Sequence, residues 1–327
     1  MRTILVTGAT GIVGYGCLRA LRAAGPELRL IGTSIYENYV PDAFCDVFVK
    51  AVPTMDACYM DWLSEVVSAY HVDLIIPGIE ADLYLWNRSR EHIAAMGTKA
   101  LLNNKRLIDL CEDKWAFAQK LAESAPEYLI PSAAEGDYED LSKRFGREFL
   151  LKPRHGFGSK GIIRVAGRQE FEAHAGSTLQ QGGTLMAQKL VGTEDEEYTV
   201  GAVYDENCRL CAHIEMQRTL DRQGFTLNAR TVLLPGIEET LEKLGRIFCC
   251  FGPTNFQFRR EAGRLCLLEI NPRISSSLSI RTAFGFNECA MGMRLILDGE
   301  SPAQPKLLTG RTTRFVEDYV VYDRDHL

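Results

Sequence analysis

Apolar residues in this chain follow two different rhythms. In the first hundred residues, short continuous apolar runs alternate with segments of helical spacing. Thr3-Ile4-Leu5-Val6-Thr7 is a run of the kind that fills a strand buried on both faces, and Leu18, Leu21 and Ala24 then recur at helical intervals as far as Gly25. Leu28 to Thr33 predicts a second strand, Val72-Asp73-Leu74-Ile75-Ile76-Pro77 a later one, and Ala100-Leu101-Leu102 another. Strands alternating with helices in this order predict a parallel sheet. A helix is expected to begin at Leu110–Phe117, with Trp115, Ala118 and Leu121 on one side and Glu112-Asp113 near its start.

The second half reads as strand and turn. Glu148 to Pro153 predicts one strand and Ile162 to Val165 another, joined by Arg154-His155-Gly156-Phe157-Gly158-Ser159-Lys160-Gly161. Tyr198 to Val203 and His213 to Arg218 extend the sheet, and Ile237 to Cys250 predicts an amphipathic helix. A hairpin follows: Phe256 to Arg259, a turn at Glu261-Ala262-Gly263-Arg264, and a return through Leu265 to Ile270. A last helix is expected after Ser279, through Ala290, Met293 and Leu297 to Asp298-Gly299.

Composition narrows the class. With 327 residues, 46% of them hydrophobic, the chain can bury two or three compact units. A net charge of −6 argues against a nucleic-acid surface, and no apolar run is long enough for a membrane span. Met1-Arg2 passes straight into a strand, so no signal peptide is expected. Ten cysteines scattered through apolar segments fit reduced, buried thiols and a cytoplasmic location. Cys208-x-x-Cys211 lacks a second ligand pair, which disfavours zinc.

Candidate chemistry lies in four stretches. In the hairpin, Gln257 and Glu269 can share a face, with Asn271 just beyond; three oxygen donors at a strand end suit Mg²⁺. Arg273 would sit where charge develops on a phosphoryl group. The glycines after Lys152-Pro153 join two strands, so they are no Walker A loop, yet their amides can bend toward phosphate. Arg218, Arg222 and Arg230 offer guanidinium forks for a carboxylate or phosphate, Arg218 being preferred. Thr7-Gly8-x-x-Gly11-x-x-Gly14 opens a Rossmann-like unit, and Glu80 follows its later strand, at the edge where ligands bind.

Asn271-Pro272-Arg273 after such a hairpin resembles the metal-binding end of the ATP-grasp superfamily. The run from Gly252 to Phe286 is most similar to a synthetase domain of the carbamoyl-phosphate synthetase large subunit. The resemblance implies an α/β (α+β) protein with a Rossmann-like pre-ATP-grasp domain at 1–105. An ATP-grasp lid at 106–186 and an antiparallel-sheet catalytic subdomain at 187–327 would follow. It implies ATP with two Mg²⁺ ions, Mn²⁺ being the alternative, on Gln257, Glu269 and Asn271. Lys114 and Lys152 match its phosphate-binding cations, and Gly156, Gly158, Ser159 and Gly161 its mobile flap, with Lys160 a weaker match. Gln188 with the backbone of Lys189 and Leu190 matches its adenine-binding hinge, and Glu197 its ribose-binding acid.

Departures redirect the substrate. The family's basic residue after Arg273 is replaced by Ser275-Ser276-Ser277, and the chain has room for one ATP-grasp unit. A ligase joining a small-molecule carboxylate to an amine or thiol through an acyl-phosphate, releasing ADP and phosphate, is therefore expected instead of bicarbonate chemistry. A homodimer is compatible with that reading. Two rivals remain: an NAD(P)-dependent sugar-nucleotide enzyme, suggested by the first glycines but lacking a Tyr four residues before a Lys, and a non-catalytic ATP-binding regulator.

Overall fold

The computed structural model describes residues 1–25, 27–37, 43–156, 160–180, 182–221 and 223–320. Gly158 and Ser159 of the expected flap, and Arg222, lie outside the described residues.

Three sheets organise the chain. The first is parallel, formed by β1 (Arg2–Val6), β2 (Leu28–Ser34), β3 (Val47–Lys50), β4 (Leu74–Ile76) and β5 (Lys99–Ala100) in the order β3-β2-β1-β4-β5. The apolar runs become its inner strands, and Leu5, Ile31, Leu74 and Ile75 have no exposed surface. Helix Ile12–Ala24 returns across it from the glycine turn. Those glycines serve close packing: a Cβ on Gly14 would lie 2.1 Å from the Gly8 carbonyl oxygen, and one on Gly78 would lie 1.9 Å from that of Thr7.

The second sheet is antiparallel: β6 (Ser132–Ala133), β7 (Phe149–Pro153), β8 (Ile163–Val165) and β9 (Leu185–Lys189), ordered β6-β9-β7-β8. The third holds β10 (Glu197–Tyr204), β11 (Leu210–Leu220), β12 (Thr226–Thr231), β13 (Gly252–Glu261), β14 (Arg264–Asn271) and β15 (Arg311–Thr313), ordered β14-β13-β10-β11-β12-β15. The expected division after residue 186 falls within β9. Leu107, Phe117 and Leu121, expected in the lid, pack with Val200, Phe256 and helix Ile237–Phe248 under the six-stranded sheet. Among the described residues no helix is long and apolar enough to cross a membrane.

Two expected helices are each broken. Around Asp113 the chain forms Lys105–Glu112 and then Lys114–Ser124, because extended Asp113 caps the second helix by accepting from the Trp115 amide at 2.9 Å. The acidic pair thus straddles a junction. After Ser279 the chain forms Leu278–Ala283 and Glu288–Asp298, separated at Gly285, whose φ is +92°. Asn287 caps the later helix.

The hairpin β13–β14 holds a feature that its turn does not announce. Ala262 and Gly263 both take positive φ, as a tight two-residue turn requires, and Arg260 faces Leu265 while Phe258 faces Leu267. Continued regularly, this register would set Leu268 opposite Gln257 and turn Glu269 to the opposite face. Instead the register shifts after Phe258, so that Glu269 faces Gln257 and Asn271 faces Asn255. Leu268 is the extra residue of a β-bulge. It packs toward Ile130 and Val191, while Leu267 and Ile270, three apart, both enter the core. The expected Gln257–Glu269 pairing is correct, but the bulge produces it, not the turn.

The face of the sheet away from that core is apolar around Val203, Ile214, Met216 and Ala229 and polar around Thr199 and Asn255, where a fully buried ion pair anchors it. Arg281 donates to both Glu288 carboxylate oxygens at 2.9 and 3.0 Å, and to Thr199 Oγ1 and Asn255 Oδ1. Gly201 makes room, since a Cβ there would come within 2.6 Å of Arg281 Nη1. Removing one partner leaves a charge in a site of low dielectric. Glu288→Ala is therefore expected to lower unfolding free energy by about 3–5 kcal/mol, read by urea denaturation; a loss below about 1 kcal/mol would contradict this anchoring role.

Candidate active site

The antiparallel register gathers polar residues from four strands on that face. Glu197 is paired with both Arg218 and Arg259, Thr199 with Gln257, Gly201 with Asn255, and Gln257 and Asn255 in turn with Glu269 and Asn271. Alternation puts Tyr198, Val200, Phe256 and Phe258 in the core, and so their neighbours on the site.

Glu269 is the centre. Its Oε1 accepts from Gln257 Nε2 at 2.6 Å and from Asn271 Nδ2 at 2.9 Å. Behind it, Arg218 Nη2 donates to Gln257 Oε1 at 2.8 Å and to Glu197 Oε1 at 2.9 Å, while Arg259 takes Glu197 Oε2 at 3.1 Å. Arg218 also reaches Thr226 Oγ1 at 3.3 Å, which contacts Ser277 Oγ at 3.1 Å. Arg218 and Glu197 are each only 5% exposed. The guanidinium expected to meet substrate is thus spent on ordering Gln257, and both oxygens of the expected ribose acid are held by arginines. Arg230 bonds Gln217 on the outer strands and does not join them.

On the four-stranded sheet, Lys152 of β7 points its ammonium to Gln188 Oε1, and Gln188 Nε2 donates to Ser132 Oγ at 3.0 Å. Burial lowers the Lys152 ammonium to about 8; Glu269 opposes the shift, while Lys114 and Arg259 add to it. Lys114, first residue of its helix, reaches the carbonyl of Gly156, and Arg154 pairs with Asp113. The start of the glycine segment is therefore stitched to the helix junction at residues 112–114. Gly156 and Gly161, on either side of the undescribed residues, both have positive φ, at +111° and +74°. In the expected hinge, the Lys189 amide is already bonded to the Pro131 carbonyl and its ammonium pairs with Glu261 at 3.2 Å, while Leu190 is half-buried.

Arg273 stands at the end of the hairpin, where its guanidinium meets Glu80 Oε1 at 2.6 Å and the Ile274 carbonyl at 2.8 Å. This ties the parallel sheet to the site. Residues that the sequence reading missed complete it: Arg259, the Thr199–Asn255–Arg281 network, and Arg314. The last enters from β15, donating to the carbonyls of Thr226 and Ser276 at 3.0 and 2.9 Å. It brings a cation to the serine loop that carries none of its own. Only the period-two polar residues Asn255, Gln257 and Arg259 could have been read from sequence; the others depend on distant contacts.

The arrangement suits a polyanion. Among the described residues of this cluster, Lys114, Lys152, Arg218, Arg259 and Arg273 stand against three carboxylates, Glu80, Glu197 and Glu269. One carboxylate and two amides also supply oxygen donors for a hard cation once the amides turn oxygen inward. With a single negative charge, that donor set fits Mg²⁺ shared with phosphate oxygens better than an all-protein cage.

A family model described as "ATP-grasp in the biosynthetic pathway with Ter operon" matches residues 184–318. The carbamoyl phosphate synthase large chain of Thermoanaerobacter sp. (strain X514) is 25% identical over 208 residues, covering 58% of this chain. The chain spans only 19% of that relative's length. Among solved structures, biotin carboxylase from Campylobacter jejuni, in a complex with β,γ-ATP, superposes with a TM-score of 0.73 at 17% identity, covering 95% of this chain and 74% of that one. N5-carboxyaminoimidazole synthetase from Staphylococcus aureus gives 0.71 at 16% identity, covering 94% and 80%. An N-terminal parallel sheet, a four-stranded antiparallel sheet and a six-stranded sheet with a polar cluster on one face therefore make this chain an ATP-grasp fold, resembling the biotin-carboxylase and carbamoyl-phosphate synthetase type of synthetase domain.

Proposed function

We propose that the chain is an ATP-dependent ligase that activates a carboxylate as an acyl-phosphate and transfers the acyl group to an amine or thiol. One observation carries the reading: the bulged hairpin gathers Gln257, Glu269 and Asn271 beside Arg273, with Glu269 within electrostatic reach of Lys152. ATP lies between the four- and six-stranded sheets, its phosphates on Lys114, Lys152 and the amides flanking Gly156 and Gly161. The adenine edge meets the backbone near Gln188 to Leu190. Glu197 is assigned to holding Arg218 and Arg259, and meets ribose only if one arginine releases it. The lid is the four-stranded sheet, and its closure over ATP excludes water.

Gln257, Glu269 and Asn271 would hold Mg²⁺, as two ions and replaceable by Mn²⁺, which would supply positive charge to the transferring phosphoryl group. Once Gln257 turns its oxygen to the ion, Arg218 is left held by Glu197 and Thr226. Arg273 positions the substrate carboxylate and balances charge as one of its oxygens bonds to the γ-phosphorus, while the bond to the bridging oxygen breaks and ADP leaves. The amine then attacks the acyl carbon and phosphate departs. No protein nucleophile takes part.

Two measurements test this. A screen of carboxylate and amine pairs for ATP-dependent phosphate release is expected to find a productive pair. Glu269→Ala should cut that turnover by about 10²-fold or more while the protein stays folded; full activity in the folded variant would remove Glu269 from the site. The second uses Lys152. Its ammonium titrates at about 8 without nucleotide, and phosphate favours the charged form, so binding ATP raises the value. Affinity for ATP should fall about tenfold per pH unit as pH rises above 8, with proton uptake on binding. Lys152→Arg, always charged, should lose that slope. An unchanged slope in the variant would place the titrating group elsewhere.

A further inference from the structure

The Arg273–Glu80 pair carries more than a link between sheets. Both side chains are withdrawn from solvent, 18% and 8% exposed, and they come from sequence positions 193 residues apart. Glu80 opens helix Glu80–Arg88, and its second carboxylate oxygen, Oε2, is buried with no hydrogen-bond partner among the described residues. A buried carboxylate oxygen without a partner is costly, and a helix start offers only part of the compensation. Tyr84 stands one turn further along the same helix, its phenol pushed up mainly by burial and then by the charge of Glu80.

This geometry decides what kind of ligand the site can accept. Arg273 lies two residues beyond Asn271, so a carboxylate bound to it sits beside the reacting phosphate. That carboxylate must take Arg273 away from Glu80. A ligand with negative charge alone would leave Glu80 buried and unpaired, and breaking a buried pair in that way is strongly unfavourable. A ligand with positive charge alone would strand Arg273. A ligand carrying both charges two bonds apart replaces both halves of the pair at once and gives Oε2 the donor that it lacks.

We propose that the carboxylate substrate is an α-amino acid, its carboxylate on Arg273 and its ammonium on Glu80. The inference rests on the ligase reading for the identity of the neighbouring phosphate; the binding itself does not require turnover. Glu80 also distinguishes the two amino groups in the reaction. The ammonium of the activated amino acid stays protonated and bound, and the attacking amine enters from elsewhere.

Calorimetry on the protein saturated with MgADP provides the test. Each of the twenty α-amino acids is titrated beside its des-amino carboxylate and its decarboxylated amine, for example alanine beside propionate and ethylamine. At least one amino acid should bind tenfold or more tighter than both single-charge analogues. Glu80→Gln, which keeps shape and removes charge, should weaken that amino acid tenfold or more and leave its des-amino carboxylate as tight or tighter, with MgADP affinity as the control for folding. The proposal is overturned if no amino acid binds, if the des-amino carboxylate binds as tightly, or if Glu80→Gln preserves the discrimination. Selective amino-acid binding without phosphate release from any pair would keep this site and discard the ligase reading; phosphate release with a carboxylate that lacks an amino group would do the reverse.

Discussion

One extra residue in β14 determines which way the chemistry faces. Without the bulge at Leu268, the tight turn at Ala262-Gly263 would carry Glu269 into the apolar layer beneath the sheet and turn Leu268 toward Gln257. A buried carboxylate there would lack partners, and a leucine would occupy the place of the central donor. The bulge costs one interruption of the ladder. In return, Leu267 and Ile270 both reach the core while Glu269 and Asn271 reach the polar face.

A polar face inside a protein must satisfy itself, and the rest of the structure shows how. Glu197 bridges two arginines, Arg218 holds Gln257, and Gln257 with Asn271 holds Glu269. Below them, Arg281 and Glu288 close the network against Thr199 and Asn255, in space that exists because residue 201 is glycine. Such a network is rigid only when every member is paired. Among the described residues the pairing is incomplete at Asn255 Nδ2 and Arg281 Nε, and at Glu80 Oε2, where the parallel sheet contributes an ion pair to Arg273.

Much of the fold was legible because local chemistry and tertiary structure agree. The apolar runs of the first sheet, the helix Ile237–Phe248 and the strands around the glycine segment follow from periodicity alone. The Gln257–Glu269–Asn271 cluster was legible too, and the spacing Leu265, Leu267, Ile270 even contained the bulge, a step of two followed by one of three. Other features were hidden for physical reasons. Asp113 splits a helix by capping the following turn, which a smooth apolar stripe conceals. Arg218 looked available because sequence shows its charge and not the carboxylate two strands of register bring to it. Arg314 lies 41 positions after Arg273 and meets the serine loop only because β15 adds to the sheet edge.

The central claim is that this polar face serves a carboxylate attacking the γ-phosphorus of ATP. It is tested most directly by following an oxygen atom during productive coupling, with substrate carboxylate labelled by ¹⁸O. If the acyl-phosphate forms, its bridging oxygen leaves with phosphorus, so each turnover yields ADP and a phosphate carrying one label. Unlabelled phosphate, or AMP with pyrophosphate in place of ADP, would contradict the account.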